Sequence, residues 1–102
     1  MLNFLKKIKG DKMKLGAKHI LVEQEFEAQD LLKKIAAGEA FDKLASDFSK
    51  CPSGKQGGDL GHFGAGMMVK PFEEAVLNLK VGETTSQPVK TQFGYHLIQR
   101  TL

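Results

Sequence analysis

The sequence predicts a single α+β domain built on a small antiparallel sheet, and three observations carry that prediction. The run "AKHILV", residues 17–22, is compact, apolar and β-branched; three later segments repeat apolar residues at helical spacing; and "FGYHLIQR", residues 93–100, closes the chain with a second strong strand signal. At 102 residues, 41% of them apolar, the chain has the size of one independently packed core.

Taken in order, "AKHILV" fits a strand buried on both faces. A helix follows, with Ala28, Leu31, Leu32 and Ile35 as its apolar stripe. Glu25 and Glu27 lie near its start and Lys33 and Lys34 near its end, each complementing the helix dipole, and Gly38 stops it. "FDKLASDF" repeats the pattern in a shorter helix with Phe41, Leu44, Ala45 and Phe48 on the inner stripe.

The next segment, "CPSGKQGGDLGHFGAGMMVKPF", holds six of the eleven glycines and reads as an irregular loop. Pro71 suits the first turn of a third helix, where its missing N–H would have no partner anyway, and Phe72, Ala75, Val76 and Leu79 supply that helix's buried side. Gly82 marks a turn, "TSQPV" is expected as a short edge strand broken by Pro88, and "FGYHLIQR" as the last strand. The residues alone thus read β-α-α-(loop)-α-β-β, with no internal repeat and no low-complexity segment.

The net charge of +3 is unevenly placed. Residues 1–16 carry five lysines against Asp11, whereas residues 17–102 sum to −1. Basicity therefore belongs to an N-terminal tail, residues 1–13, ahead of a domain at 14–102, and no dedicated nucleic-acid site is expected on the domain. In the tail, Met1, Phe4, Leu5 and Ile8 oppose Lys6, Lys7 and Lys9, a stretch too short to hold a helix alone. A frayed end and weak attachment to an anionic surface both fit it.

No apolar run reaches the 18 residues of a membrane span, and the opening run is shorter than a signal-peptide core, with no small-residue cleavage site after it. A single cysteine, Cys51, permits no internal disulfide. These features predict a cytoplasmic location.

His19, Cys51, Thr91 and His96 are the polar candidates for chemistry. A cysteine with two histidines suggests a thiol nucleophile with its base, yet the chain has no cysteine-protease signature and little room for a cleft and an oxyanion site as well. The same three residues lack the close-paired spacing of structural zinc sites. The glycines lack the G-x-x-x-x-G-K-[ST] pattern of a phosphate loop.

Three motifs, "HILV", "CPSGKQGGDLGHFGAGMMVKPFEEA" and "TQFGYHLIQ", stand in the order and spacing of a known family. Over residues 15–102 the chain resembles the small free-standing parvulins, a family of peptidyl-prolyl cis/trans isomerases. The resemblance implies an FKBP-like α+β superfold: a four-stranded antiparallel sheet surrounded by helices in the order β-α-α-(short α/loop)-β-α-β-β. It also implies that His19 and His96 are the paired strand histidines and that Cys51 faces them. Leu60, Met68 and Phe72 would receive the proline ring, and Thr91 and Phe93 would supply the hydroxyl and aromatic positions across the groove.

The expected activity is rotation about X–Pro bonds in unfolded or flexible chains, by a monomer with no cofactor and no metal. Since aspartate can replace the family's cysteine, Cys51 is expected to tune a His19–Cys51–His96–Thr91 hydrogen-bond network, with nucleophilic attack as the alternative. Parvulins that require a phosphorylated residue before proline carry a basic cluster between the first strand and first helix. Here that link reads "VEQEFE", which would repel a phosphate, although a solvated helix start accounts for the same glutamates. The competing function is a binding module or holdase that uses the same groove without turnover.

Overall fold

A computed structural model describes residues 14–102. The expectations for the tail, residues 1–13, lie outside the described residues. The elements run β1 (Lys14–Val22), α1 (Glu25–Ala36), α2 (Phe41–Phe48), a 3-10 turn (Pro52–Gln56), β2 (Asp59–Gly64), α3 (Lys70–Leu77), β3 (Val89–Thr91) and β4 (Gly94–Arg100). The strands form one antiparallel sheet in the order β2-β1-β4-β3.

The two segments with the strongest strand signals pair at its centre, from Ala17↔Arg100 to Val22↔Tyr95. Side chains alternate across a strand, so each central strand serves two cores. Ile20, Val22 and Leu97 pack against Ala28, Leu31, Phe41, Leu44 and Ala45 of α1 and α2. Leu15, Ala17 and Ile98 face the other way, onto Phe63, Phe72, Val76 and Leu79. By the same parity, His19 and His96 project toward the side of α3.

The helix signals act locally as expected. The Glu27 carboxylate accepts the Gln24 N–H at 3.0 Å at the start of α1, and Gly38 takes φ +100° just past its end. Pro71 lies in the first turn of α3, and Leu79 is buried two residues beyond that helix.

Three expectations need correction. Phe48, placed on the inner stripe of α2, is 46% exposed, because it is the helix's last residue and the chain leaves for β1 at Ser49. "TSQPV" is not a strand: Thr84 makes an isolated bridge to Gln99, Thr85 donates its N–H to the Ile98 carbonyl at 2.8 Å, and the regular ladder starts only at Val89, after Pro88. Proline has no N–H to give, so the ladder begins beyond it.

The glycine-rich segment is not one loop. It contains the 3-10 turn and β2, as the family resemblance implied and the residues alone did not. "DLGHFG" lacks an apolar alternation; it becomes a strand by pairing with β1 from Lys14↔Gly64 to Lys18↔Asp59 and burying Phe63.

Candidate active site

The site starts from strand register. His19 lies opposite Ile98 and Leu21 opposite His96, so the two histidines are diagonal neighbours on one face of the β1–β4 pair. Their Nδ1 atoms share a hydrogen bond at 2.9 Å, with ring centroids 5.1 Å apart and planes 21° from parallel. Thr91, diagonal to His96 across the β3–β4 pair, places Oγ1 at 2.7 Å from His96 Nε2 and accepts the Phe93 N–H at 3.1 Å.

One proton serves the Nδ1–Nδ1 bond, so two neutral arrangements satisfy the chain. In one, His96 donates from Nδ1 and accepts the Thr91 hydroxyl proton at Nε2. In the other, His19 donates from Nδ1 and His96 donates from Nε2 to Thr91. In both, His19 Nε2 is buried without a partner among the described residues. Burial pushes both imidazoles down from 6.5 to about 4, with the neighbouring His19 charge adding to the effect on His96. The pair is neutral at physiological pH.

Cys51 arrives by a path that completes β1. Beyond Lys18, where β2 stops pairing, the His19 N–H donates to the Gly58 carbonyl at 2.9 Å, the Lys50 N–H to the Leu21 carbonyl at 2.7 Å, and the Leu21 N–H to Ser49 Oγ at 3.1 Å. Ser49 Oγ also accepts the Cys51 N–H at 3.3 Å, so one hydroxyl ties the cysteine's backbone to the histidine strand.

Only glycine fits at position 58. Its φ is +85°, and a Cβ there would meet the His19 carbonyl oxygen at 2.4 Å. Gly54 is needed for a different reason, since its Cβ would meet the Ala45 carbonyl at 2.7 Å where the 3-10 turn packs on α2.

The expected four-residue network forms only in part. His19, His96 and Thr91 are linked, but Cys51 is bonded to neither histidine; its Sγ accepts the Ser53 hydroxyl at 3.2 Å. The Ser49 anchor holds the thiol on the pocket wall, beside the rings and outside their hydrogen-bond chain.

Above the histidines opens a largely apolar pocket of about 440 Å³. His19, Cys51, Leu60, Met68, Phe72, Phe93 and His96 all line it, so seven of the eight residues singled out in the sequence share one cavity. Thr91 stands behind His96. Phe72 sets its ring edge-on to His19 at 5.6 Å and to His96 at 5.3 Å, and Phe63 supports it at 6.4 Å. Leu60 reaches the pocket through a β-bulge, in which Leu60 and Gly61 of β2 face Ala17 alone.

Sequence reasoning missed Leu21, Lys50, Pro52, Met67 and Val69 on the pocket wall, and Ser49 and Phe63 behind it. Only Leu21 carried a usable signal, as the residue two past His19 on the same strand face. Among the described residues, no three His, Cys, Asp or Glu side chains converge as a metal site.

The fold and site together define a domain with an apolar pocket above a neutral, hydrogen-bonded histidine pair. The PPIC-type PPIASE domain family matches residues 2–101, and the chain belongs to this family of parvulin-type peptidyl-prolyl isomerases. It is 54% identical over 91 residues to the foldase protein PrsA of Geobacillus kaustophilus, which covers 88% of the chain and 32% of that relative. The chain therefore spans about a third of the length of that curated relative.

Among solved structures, the peptidylprolyl isomerase PrsA of Bacillus anthracis superposes with a TM-score of 0.86 at 40% identity, over 92% of this chain and 43% of that one. The parvulin of Nitrosopumilus maritimus superposes with a TM-score of 0.77 at 47% identity, over 87% of this chain and 96% of that one. The parvulin fold implied by the sequence motifs is the fold found.

Proposed function

We propose that the chain accelerates cis/trans rotation about X–Pro bonds in unfolded or flexible polypeptides, without a cofactor and without need of a phosphate before proline, and thereby assists folding. The observation that carries this reading is the apolar pocket of Leu60, Met68 and Phe72 ending on the neutral His19–His96 pair.

Rotation about a prolyl bond crosses a barrier of about 18–20 kcal/mol because the twisted amide loses resonance. No bond is made or broken, so the protein's task is to favour the twisted state over the planar one. A pyrrolidine ring seated against Phe72 is held while the chain before it turns. Apolar walls keep water from the carbonyl, whose charge-separated planar form water stabilises. Each ~1.4 kcal/mol of selective preference for the twisted state is worth about tenfold in rate.

The histidine pair acts as a fixed, uncharged floor that shapes the pocket and its field. Cys51 adds a polarisable wall; its place outside the hydrogen-bond chain supports a tuning role over a covalent one. The β1–α1 link, Glu23 and Gln24, offers no cation, and the exposed Glu23 and Glu25 beside it disfavour a phosphate. The same reading takes the chain as a monomer in the cytoplasm, where a lone free thiol is kept reduced.

Exchange spectroscopy on matched X–Pro peptides, with and without phosphoserine before proline, tests the proposal. Accelerated exchange of the unphosphorylated peptide is expected, with the phosphorylated one no faster. Binding shifts without acceleration would replace the isomerase by the holdase reading, and faster turnover of the phosphopeptide would overturn the specificity.

A further inference from the structure

The cavity above the histidines is larger than a proline ring. Its volume is about 440 Å³. At ~30 Å³ of liquid per molecule that is room for about 15 waters, of which a five-membered ring displaces only a few. The seat for such a ring is the inner part, where Phe72 is 3% exposed and Leu60 and Met68 are half-buried. Two further apolar residues line the same cavity and remain open to solvent: Met67 is 72% exposed and Phe93 60%.

Both stand on hydrogen-bonded turns. At the end of β2 the Met67 N–H donates to the Gly64 carbonyl at 3.2 Å, and Met67 Sδ accepts the Gly64 N–H at 3.2 Å, which fixes the thioether itself. The Gly66 N–H, in the same turn, donates to the Glu73 carboxylate at 2.7 Å and ties the turn to α3. On the β3–β4 hairpin, Thr91 Oγ1 accepts the Phe93 N–H at 3.1 Å. These two apolar surfaces are thus set in place before any ligand arrives, which lowers the entropy cost of using them.

Resting on the isomerase reading above, we propose that Met67 and Phe93 form an outer subsite for the client residue next to the proline, and that this subsite favours an aromatic side chain. The occupant is the client chain itself, because both residues line the one cavity in which the proline ring is seated. A thioether and an aromatic ring each gain from an aromatic partner beyond the area they bury, so phenylalanine is preferred to an aliphatic side chain of similar size. Met67 is then a specificity-determining residue, at a position that the family motifs did not single out.

The test uses peptides with one X–Pro core that carry phenylalanine, leucine or alanine next to the proline, before it in one set and after it in another. On one flank, phenylalanine should raise kcat/KM by ~3- to 10-fold over alanine, with leucine between them, and the gain should lie in KM because the side chain is held in planar and twisted states alike. The readout is the phenylalanine-to-alanine ratio within each variant, so a general change in activity cancels. Met67→Ser should bring that ratio close to one, whereas Met67→Leu, which keeps the apolar surface, should retain at least half of the gain. Equal values for phenylalanine and leucine on both flanks, an unchanged ratio in Met67→Ser, or the same collapse in Met67→Leu would each overturn the subsite. Should no peptide be turned over, titration of the same set reads the ratio as an affinity, so the subsite and the isomerase reading fail separately.

Discussion

The two faces of the β1–β4 pair are built from the same two strands and differ in what they finish with. Toward α1 and α2, Ile20, Val22 and Leu97 pack with Ala28, Leu31, Phe41, Leu44 and Ala45 in a layer covered by the two helices. Toward α3, the layer begins the same way at Leu15, Ala17 and Ile98 and then ends on His19 and His96 under an open pocket. One face holds the domain together; the other gives up part of its burial to place two imidazoles at the floor of an open pocket. A strand alternates its side chains, so a single chain segment supplies both without compromise.

The contrast breaks most visibly on the α1–α2 face. Leu44 is 2% exposed there, and Leu44→Ala should lower stability by ~2–5 kcal/mol through lost burial and the cavity left behind. Denaturant unfolding reads the loss, while prolyl exchange per folded molecule should be unchanged. Equal damage to both would mean that the two faces are not separable.

Acid should act on the other face. The histidines sit near 4 when folded and at 6.5 when free, so the unfolded chain binds more protons between these values. Their contribution to stability is complete above pH 6.5 and is lost as pH falls toward 4, on the order of a few kcal/mol for the coupled pair. Unfolding midpoints measured from pH 7 to 4 should fall steadily, and a flat profile would place the rings in a wetter site. Leu44→Ala should show the same pH slope from a lower starting point.

Within the open face, the pocket wall and the thiol should separate. Leu60→Ala removes part of the clamp from a half-buried bulge position, and should cost about tenfold in kcat/KM with under ~1.5 kcal/mol of stability. Cys51→Asp should have the smallest effect, activity staying within ~10-fold, because the thiol bonds to Ser53 and to neither histidine. Complete loss in that variant, with the fold intact, would return a covalent step to consideration.

Much of this arrangement was legible in the residues. Apolar periodicity located α1, α2 and α3 and both central strands, and three motifs marked seven residues that share one pocket. Phe48 and "TSQPV" misled for local reasons: a periodic stripe does not reveal where a helix stops being covered, and Thr85 bonds to β4 without entering its ladder. β2 was implied by the family resemblance but not by the local pattern, because its strand character comes from a partner, not from "DLGHFG" itself.

By itself the sequence determined which residues alternate, cap and turn, because those preferences act over a few positions along the chain. It therefore settled the helices, the central strands and the kinds of side chain available to the site. Tertiary structure alone decided that His19 and His96, 77 positions apart, share a 2.9 Å hydrogen bond. It also decided the bulged register in which β2 pairs and that Cys51 stands beside the histidine chain and not within it. Each of these depends on register and on which surfaces meet, quantities that no local preference encodes.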